Sequence, residues 1–493
     1  LIRSPGEGHR AWPLETWMTR LLLLSLCLLV LAPLPAAARI TGQPDNWHRE
    51  QPETRDLASI RRAGVLKVLV NQSRNSSGEV KGEPIGVEYR RLRAFEQYLN
   101  SRSPSARNLT LKLIPKPKDQ LLAALQRGEG DLVAPGELLP AHDGLQVSPS
   151  APVRADVPLV LVARKGNRRY TRLEQLSGRT IPLPAGSAAE GAIELVNQRL
   201  AQRRMAPIRI EKLDASLAVE DVMEMVQAGI LGFTVVEQPI AERWAKVLPK
   251  LRVDRHLVLD NRADMAWYVR RDASTLRATI DRFLADTRAP ADQDVAFQRV
   301  YRRAYKVRNP LGAADRKRLE AVRPLLQRYA RQSSMDWLAL AAVAYKESHL
   351  NPKARGSGGA SGLMQITPAA ARSVGVGNVH DKDSNVLAAS RYLTKIRKQF
   401  FSSKHLDERE RLAFTLAAYN MGPERVQNLR TQARRRGLDP NRWFFQVERV
   451  AAEEIGMGVV SYVSSVNKYY LAYERERVRL EPGVRAKTAT AQK

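Results

Sequence analysis

The sequence predicts a multidomain chain, an α/β region of two lobes followed by an all-α region, and three observations predict it. Short strand-like runs alternate with helical runs between residues 60 and 284. Beyond residue 318 every apolar periodicity is helical. Between the two, residues 286–317 are rich in Arg, Ala and Asp and carry Pro290 and Pro310, the composition of a connection. A chain of 493 residues can give each region its own core.

The N-terminus reads as an export signal. After Met18-Thr19-Arg20, the run LLLLSLCLLVLAPLPAAA joins a basic start, an apolar stretch and the small residues Ala36-Ala37-Ala38, the pattern of a secretory signal peptide over 18–38. Residues 1–17 then read as an upstream extension. The apolar run is short for a membrane span and holds Pro33 and Pro35. Cys27, the single cysteine, lies inside it, so the exported chain is expected to lack disulfide and thiol chemistry. A formal net charge of +29 points to anionic partners. Outside the cytoplasm these are envelope surfaces, with no nucleic acid.

Residues 39–56 form a polar lead-in. The first lobe has strand-like runs at 65–70, 109–114 and 131–134, with helices at 89–99 and 118–126. The second has strands at 157–163, 208–213, 231–236 and 265–269, helices at 188–200 and 219–228, and a closing helix at 274–284. Alternation of this kind predicts a largely parallel sheet, and two lobes joined by crossing segments predict a hinged cleft. At Arg62-Ala-Gly-Val-Leu-Lys-Val, Gly86-Val-Glu-Tyr, Leu125-Gln-Arg-Gly-Glu-Gly-Asp-Leu and Val147-Ser-Pro-Ser-Ala-Pro, the chain resembles the periplasmic solute-binding domain of the amino-acid-receptor type. The resemblance covers 58–288 and implies a periplasmic-binding-protein-like fold. It also implies an arginine for a ligand carboxylate after the first lobe's last strand, and an acid for the amine in the second lobe. Residues 135–153 contain no arginine, and Glu237 stands near the place of the acid in a Glu-Gln-Pro context. The expected occupant is therefore a peptide rather than a free amino acid, or the cleft is a scaffold.

The helical region, 318–478, has runs at 319–331, 369–373, 384–400, 408–419 and 444–473, and a basic tail follows at 479–493. Its most informative stretch is SSMDWLALAAVAYKESHLNP, a nearly all-apolar helix that carries one acid, Glu347, to its far end. Ser333 or Ser334 is expected to cap its start, and Asn351-Pro352 to stop it. Alone, a Glu beside Lys346 at a helix end reads equally well as an exposed C-terminal residue. Three further pieces accompany it. The glycine-rich loop from Gly356 to Gly362 leads into Leu363-Met364-Gln365-Ile366-Thr367-Pro368, with Thr367 as the next cap. This loop lacks the Lys-Ser/Thr ending of a phosphate cradle. A second apolar helix delivers Tyr419-Asn420 to its end before Gly422-Pro423. Val459, Tyr462, Val463, Val466 and Tyr469 recur at helical spacing, which by itself fits a core stripe as well as a site.

Glu-Ser, Gly-Leu-Met-Gln, Ala-Tyr-Asn and the Tyr-Val helix, in this order, resemble the soluble-lytic-transglycosylase domain, a lysozyme-like fold. With the first domain and the export signal, the whole resembles membrane-bound lytic murein transglycosylases. The resemblance implies Glu347 as catalytic acid and Ser348, Met364, Gln365, Tyr419, Asn420 and Tyr462 as substrate-binding residues. It also implies peptidoglycan glycan strands as substrate, cleaved at the MurNAc-GlcNAc bond to 1,6-anhydroMurNAc ends. Location is then periplasmic, with peripheral association with the outer membrane, and murein peptides or fragments become the expected occupants of the N-terminal cleft. The residues make sense of this chemistry. A buried helix-end carboxyl stays protonated near neutral pH, and the four pieces hold no second acid of the kind hydrolytic glycosidases use. The nearest in sequence is Glu424. A goose-type muramidase and a non-catalytic glycan receptor are the competing readings. The seven histidines are scattered without metal-ligand spacing, so no metal and no cofactor is expected.

Overall fold

A computed structural model describes residues 53–102, 108–140, 144–287, 294–304 and 307–481. The export-signal reading at 18–38 lies outside these residues, as does the tail beyond 481. Residues 46–493 form one compact unit.

The α/β region is organised by six strands: β1 (Val65–Asn71), β2 (Thr110–Lys116), β3 (Leu132–Ala134), β4 (Val147–Arg164), β5 (Phe233–Glu237) and β6 (Leu251–Arg270). Their order is β2-β1-β3-β6-β4-β5. Only β1–β2 and β1–β3 are parallel; β6–β3, β6–β4 and β4–β5 are antiparallel. The expectation of a largely parallel sheet is therefore corrected to a mixed one. The cause is the length of β4 and β6, which far exceed the runs expected at 157–163 and 265–269. They form one antiparallel ribbon that crosses from lobe to lobe, with register shifts between Asp254 and Tyr268. Half of β6 escaped notice because Arg252, Asp254, Arg255 and His256 break its apolar run, although Leu251, Leu257 and Leu259 are buried. Arg255 and His256 stand exposed and buried Asp254 is paired with Arg252 at 2.7 Å, so the ribbon tolerates that pattern.

The first lobe packs the helix Val87–Ser101 and the helix Ser274–Asp286 against the sheet through Phe95, Trp267 and Phe283, whose rings lie 5.0–6.0 Å apart. The second lobe adds a parallel pair, Thr180–Leu183 with Arg209–Lys212, and the helix Ala189–Gln202. The helix α1 (Val219–Ala228) faces the rest of the molecule and is buried along nearly its whole length. The helix Asp294–Ala304, in the connection, lays Phe297 and Tyr301 on Trp244 of the second lobe, both at 4.9 Å.

The helical region comprises α2 (Ala313–Gln332), α3 (Trp337–Ser348), the short Pro368–Arg372, α4 (Lys382–Phe400), α5 (Glu408–Met421), α6 (Pro423–Arg435), α7 (Glu448–Glu454) and α8 (Met457–Arg475). Residues 430–436 are rich in arginine, and all but Arg436, which closes it, belong to α6. Arg430 is buried there, donating to Pro440 O at 2.8 Å and Asn441 Oδ1 at 2.7 Å. Central α3 packs on α2 and α8, and every residue from Trp337 to Tyr345 is buried.

Three parts of the chain meet at α1. Arg74, from the first lobe, bridges Asp221 at 2.6 Å and Glu448 of α7 at 3.3 Å, while its backbone N–H reaches Glu220 at 2.8 Å. Lys468 of α8 reaches Asp221 at 2.8 Å and Glu224 at 2.5 Å. Buried carboxylates need such partners, since an unpaired buried charge is costly.

Candidate active site

The site is built where α3 ends. Asp336 caps the helix, its Oδ1 accepting from Leu338 N at 3.0 Å. The caps expected at Ser333 or Ser334 are displaced because Ser333 closes the preceding helix and Ser334 has φ +50. At the other end His349 and Leu350 adopt φ +51 and +62, so the helix stops two residues before Asn351-Pro352. Glu347 is left in the last turn.

Glu347 is largely buried, and the Tyr462 hydroxyl donates to its Oε1 at 2.6 Å. Burial pushes its carboxyl up to about 7, against a smaller downward pull from Tyr462 and Lys346. Among the described residues no carboxylate acts on it. Lys346 lies 5.9 Å from the Tyr462 ring centroid, and burial holds its ammonium below the usual lysine value. Burial and the neighbouring Glu347 push both the Tyr462 and Tyr419 phenols well up, which keeps them neutral donors. Tyr419 donates to Met364 O at 2.8 Å, joining α5 to the glycine-rich loop.

That loop is held by its own side chains. Ser348 Oγ lies 2.8 Å from Leu363 O and 3.0 Å from Ala344 O, tying the helix end to the loop. Gln365, at φ +48, donates to Gly362 O at 2.9 Å and Ala354 O at 3.2 Å. Asn385 of α4 is wholly buried, accepts from Met364 N at 2.9 Å, and donates to Ser361 O at 2.7 Å and Val379 O at 2.8 Å. Gly362 has φ +73, and a Cβ there would stand 2.5 Å from Asn385 Nδ2. Only glycine fits both demands. Thr367 Oγ1 caps the following helix through Ala370 N at 3.3 Å.

The structure thus brings Glu347, Tyr462 and Tyr419 together. Ser348, Met364 and Gln365 spend their polar atoms on the loop, and Asn420 stands exposed beside Tyr419 at the end of α5. Sequence reasoning missed Asn385, Lys346 and Tyr392, whose ring lies 6.0 Å from that of Tyr419. The signal for Asn385 was present: it interrupts the apolar stripe continued by Ala389, Leu393 and Ile396, and a polar residue on a buried face needs partners.

The N-terminal cleft has a different character. A cavity of about 530 Å³ lies between the lobes and the helical region, lined by Asn71, Lys118, Glu137, Ser216, Arg409 and Phe444 among others. Lys118 of the first lobe bridges Glu137 at 3.0 Å and Glu237 of the second at 3.5 Å. Glu237 also accepts from Leu138 N at 3.0 Å. The acid placed by sequence near an amine site is therefore occupied by the chain itself.

Residues 324–440 match the family model described as Transglycosylase SLT domain. This stretch includes Glu347, the glycine-rich loop and Tyr419, and stops short of Tyr462. Curated relatives extend the likeness. The chain is 29% identical over 401 residues to a membrane-bound lytic murein transglycosylase F of Desulfosudis oleivorans, covering 78% of this chain and 82% of that protein. It is 28% identical over 408 residues to proteins of that name in Vibrio cholerae, covering 79% of this chain and 73% of each. Among solved structures, an ancestral arginine-binding protein bound to arginine is 19% identical and covers 48% of this chain and 97% of its own, with a TM-score of 0.38. That score is too low to bear on fold or ligand.

Proposed function

We propose that this chain is a peptidoglycan lytic transglycosylase, an enzyme of the cell envelope with Glu347 as its acid and then its base. The observation that carries the reading is the solitary carboxyl. Glu347 sits near its proton-transfer midpoint at neutral pH, is hydrogen-bonded by a neutral phenol, and among the described residues has no second carboxylate acting on it. Retaining and inverting hydrolases use two. One suffices when the substrate supplies the nucleophile.

In the proposed reaction, protonated Glu347 gives its proton to the oxygen between MurNAc and GlcNAc as the bond to C1 breaks. The resulting carboxylate takes the proton of the C6 hydroxyl of the same MurNAc, whose oxygen bonds to C1 and closes the 1,6-anhydro ring. Water is not consumed. Tyr462 holds Oε1 and steadies the carboxylate between the two transfers, leaving Oε2 for the proton. The substrate's acetamido group stabilises the charge at C1. Ser348, Met364, Gln365, Tyr419 and Asn420 are the proposed substrate-side residues, through the loop they hold and the surface they offer. The boundaries 58–288, 289–317 and 318–478 are proposed for the binding-like domain, the connection and the catalytic domain.

The N-terminal cleft is proposed to take a murein peptide or fragment. The Lys118–Glu237 bridge fills the amino-acid clamp, and the remaining cavity has room for a longer, mixed-charge ligand. Calorimetry with free amino acids and murein peptides tests this, and silence from all of them leaves a scaffold. The proposed location is periplasmic, at the outer membrane.

Digestion of purified sacculi in ¹⁸O-water, with mass analysis of the ends, tests the reaction. Anhydro ends without ¹⁸O are expected from the parent and none from Glu347→Gln. Reducing ends that carry ¹⁸O would make it a muramidase, and unchanged lysis by the variant would remove Glu347 from the chemistry.

A further inference from the structure

An exposed face of the second lobe is built from two neighbouring segments, residues 165–179 and 199–209. Arg209 N donates to Arg179 O at 2.8 Å, Ser177 Oγ to Ala206 O at 2.8 Å, and Arg203 Nη1 to Glu174 Oε1 at 2.6 Å. These segments carry nine lysines and arginines and one carboxylate, Glu174. All nine cations are exposed. Glu174 is held below the ordinary carboxyl value by its own backbone N–H and by Arg203, Arg172 and Arg199, so one acid is shared among several guanidinium groups.

A charge imbalance of this density is self-repulsive and adds nothing to folding. It suits an anionic partner, and guanidinium forks match phosphate oxygens in pairs. Two observations choose among anionic partners. Leu195, one of the few large apolar side chains exposed among the described residues, is 51% exposed one helical turn before Arg199. An apolar side chain one helical turn from an arginine fits the boundary where phosphates meet acyl chains. The only aromatic residue in the two segments, Tyr170, is buried, so they offer no exposed ring for stacking on sugar. Among the described residues no helix is long and apolar enough to cross a membrane; this face offers a surface contact.

We propose that this exposed arginine-rich face of the second lobe docks on an anionic lipid bilayer, with Arg172, Arg199, Arg203 and Arg204 on headgroup phosphates and Leu195 at the acyl boundary. The proposal rests on the envelope reading above. It gives the enzyme a membrane-facing side formed by the binding-like domain and not by the catalytic one.

The test is co-sedimentation of residues 46–493, the compact unit, with vesicles of phosphatidylglycerol and phosphatidylethanolamine, or of phosphatidylethanolamine alone. The parent is expected on the anionic vesicles only, and to be released by salt near 1 M, where the screening length falls to about 3 Å. Reversing four arginines (R172E/R199E/R203E/R204E) is expected to weaken binding at least about tenfold, by the surface attraction of each charge. L195S is expected to weaken it a few-fold, with digestion of soluble glycan strands unchanged in both variants. Parent and four-arginine variant binding alike would overturn the proposal. So would a parent that ignores anionic vesicles yet binds sacculi through these arginines, which would assign the face to a wall polymer. Sacculus digestion on the same samples separates the two readings: a parent that binds vesicles but cuts no murein loses the enzyme and keeps the surface.

Discussion

Among the buried acids of the described residues, those around α1 and in the N-terminal cleft and the one at the end of α3 are treated in opposite ways. Around α1 and in the N-terminal cleft, Asp221, Glu224 and Glu237 each meet a lysine or arginine brought from another lobe or from the helical region, and Glu137 meets Lys118 of its own lobe. At the end of α3, Glu347 meets a phenol, and its adjacent Lys346 stays at a distance that only trims the effect of burial. A paired acid is satisfied and holds parts together. An acid hydrogen-bonded by a neutral donor in an apolar setting can keep a proton at neutral pH and give it away. The first arrangement is architecture; the second is chemistry.

The sharpest way to break the comparison is at Glu347. Glu347→Gln is expected to lower murein cleavage by roughly a hundred- to ten-thousandfold, the usual worth of a positioned acid–base. Stability should move the other way. A carboxyl whose folded value is raised to about 7 binds more protons folded than unfolded, so it erodes stability as pH rises from about 4.5 through about 7. The amide variant, uncharged throughout, is expected to be the more stable protein above that window in urea titrations. Equal stability at pH 8 would mean that Glu347 is not desolvated.

Next in size, Lys468→Met strands Asp221 and Glu224 without their α8 cation. Breaking a buried pair from one side costs about 3–5 kcal/mol, to be read from denaturant midpoints. A loss under about 1 kcal/mol would place the cluster among weak surface pairs. Among the described residues Tyr462 makes the one side-chain hydrogen bond acting on Glu347, and Tyr462→Phe removes it. Turnover is expected to fall about ten- to a hundredfold, the worth of a hydrogen bond to a charged group. Because that bond pulls the carboxyl down, its loss should also move the alkaline limb of the pH–rate profile upward. An unmoved limb would separate Tyr462 from the acid. The smallest effect is expected from Tyr419→Phe, which frees Met364 O and should cost about 1 kcal/mol of stability.

Much of this was legible in the chain because it depends on local pattern. The apolar run from Trp337 to Tyr345 made a core helix, and its period carried Glu347 to the end whatever the tertiary context. Gly422-Pro423 and Thr367 marked their boundaries by local chemistry. Errors arose where a neighbour decided. β4 and β6 were read short because their charged residues are tolerable only where the ribbon exposes them or pairs them, as Arg252 pairs Asp254. The sheet was read as parallel because pairing direction depends on which strand lies alongside. Ser333 lost the cap of α3 to Asp336 because the chain turns at Ser334.

The sequence by itself determined that one acid would end a buried helix beside a glycine-rich loop and two tyrosine-bearing helices, since periodicity and capping are properties of a few consecutive residues. Only the tertiary structure decided what each acid meets. Tyr462 lies 115 residues from Glu347 in the chain, and Lys468 lies 244 from Glu224. Whether a buried carboxyl becomes a strut or a proton donor depends on the groups delivered to it from such distances, because burial raises a carboxyl and nearby cations and hydrogen-bond donors pull it back down by different amounts.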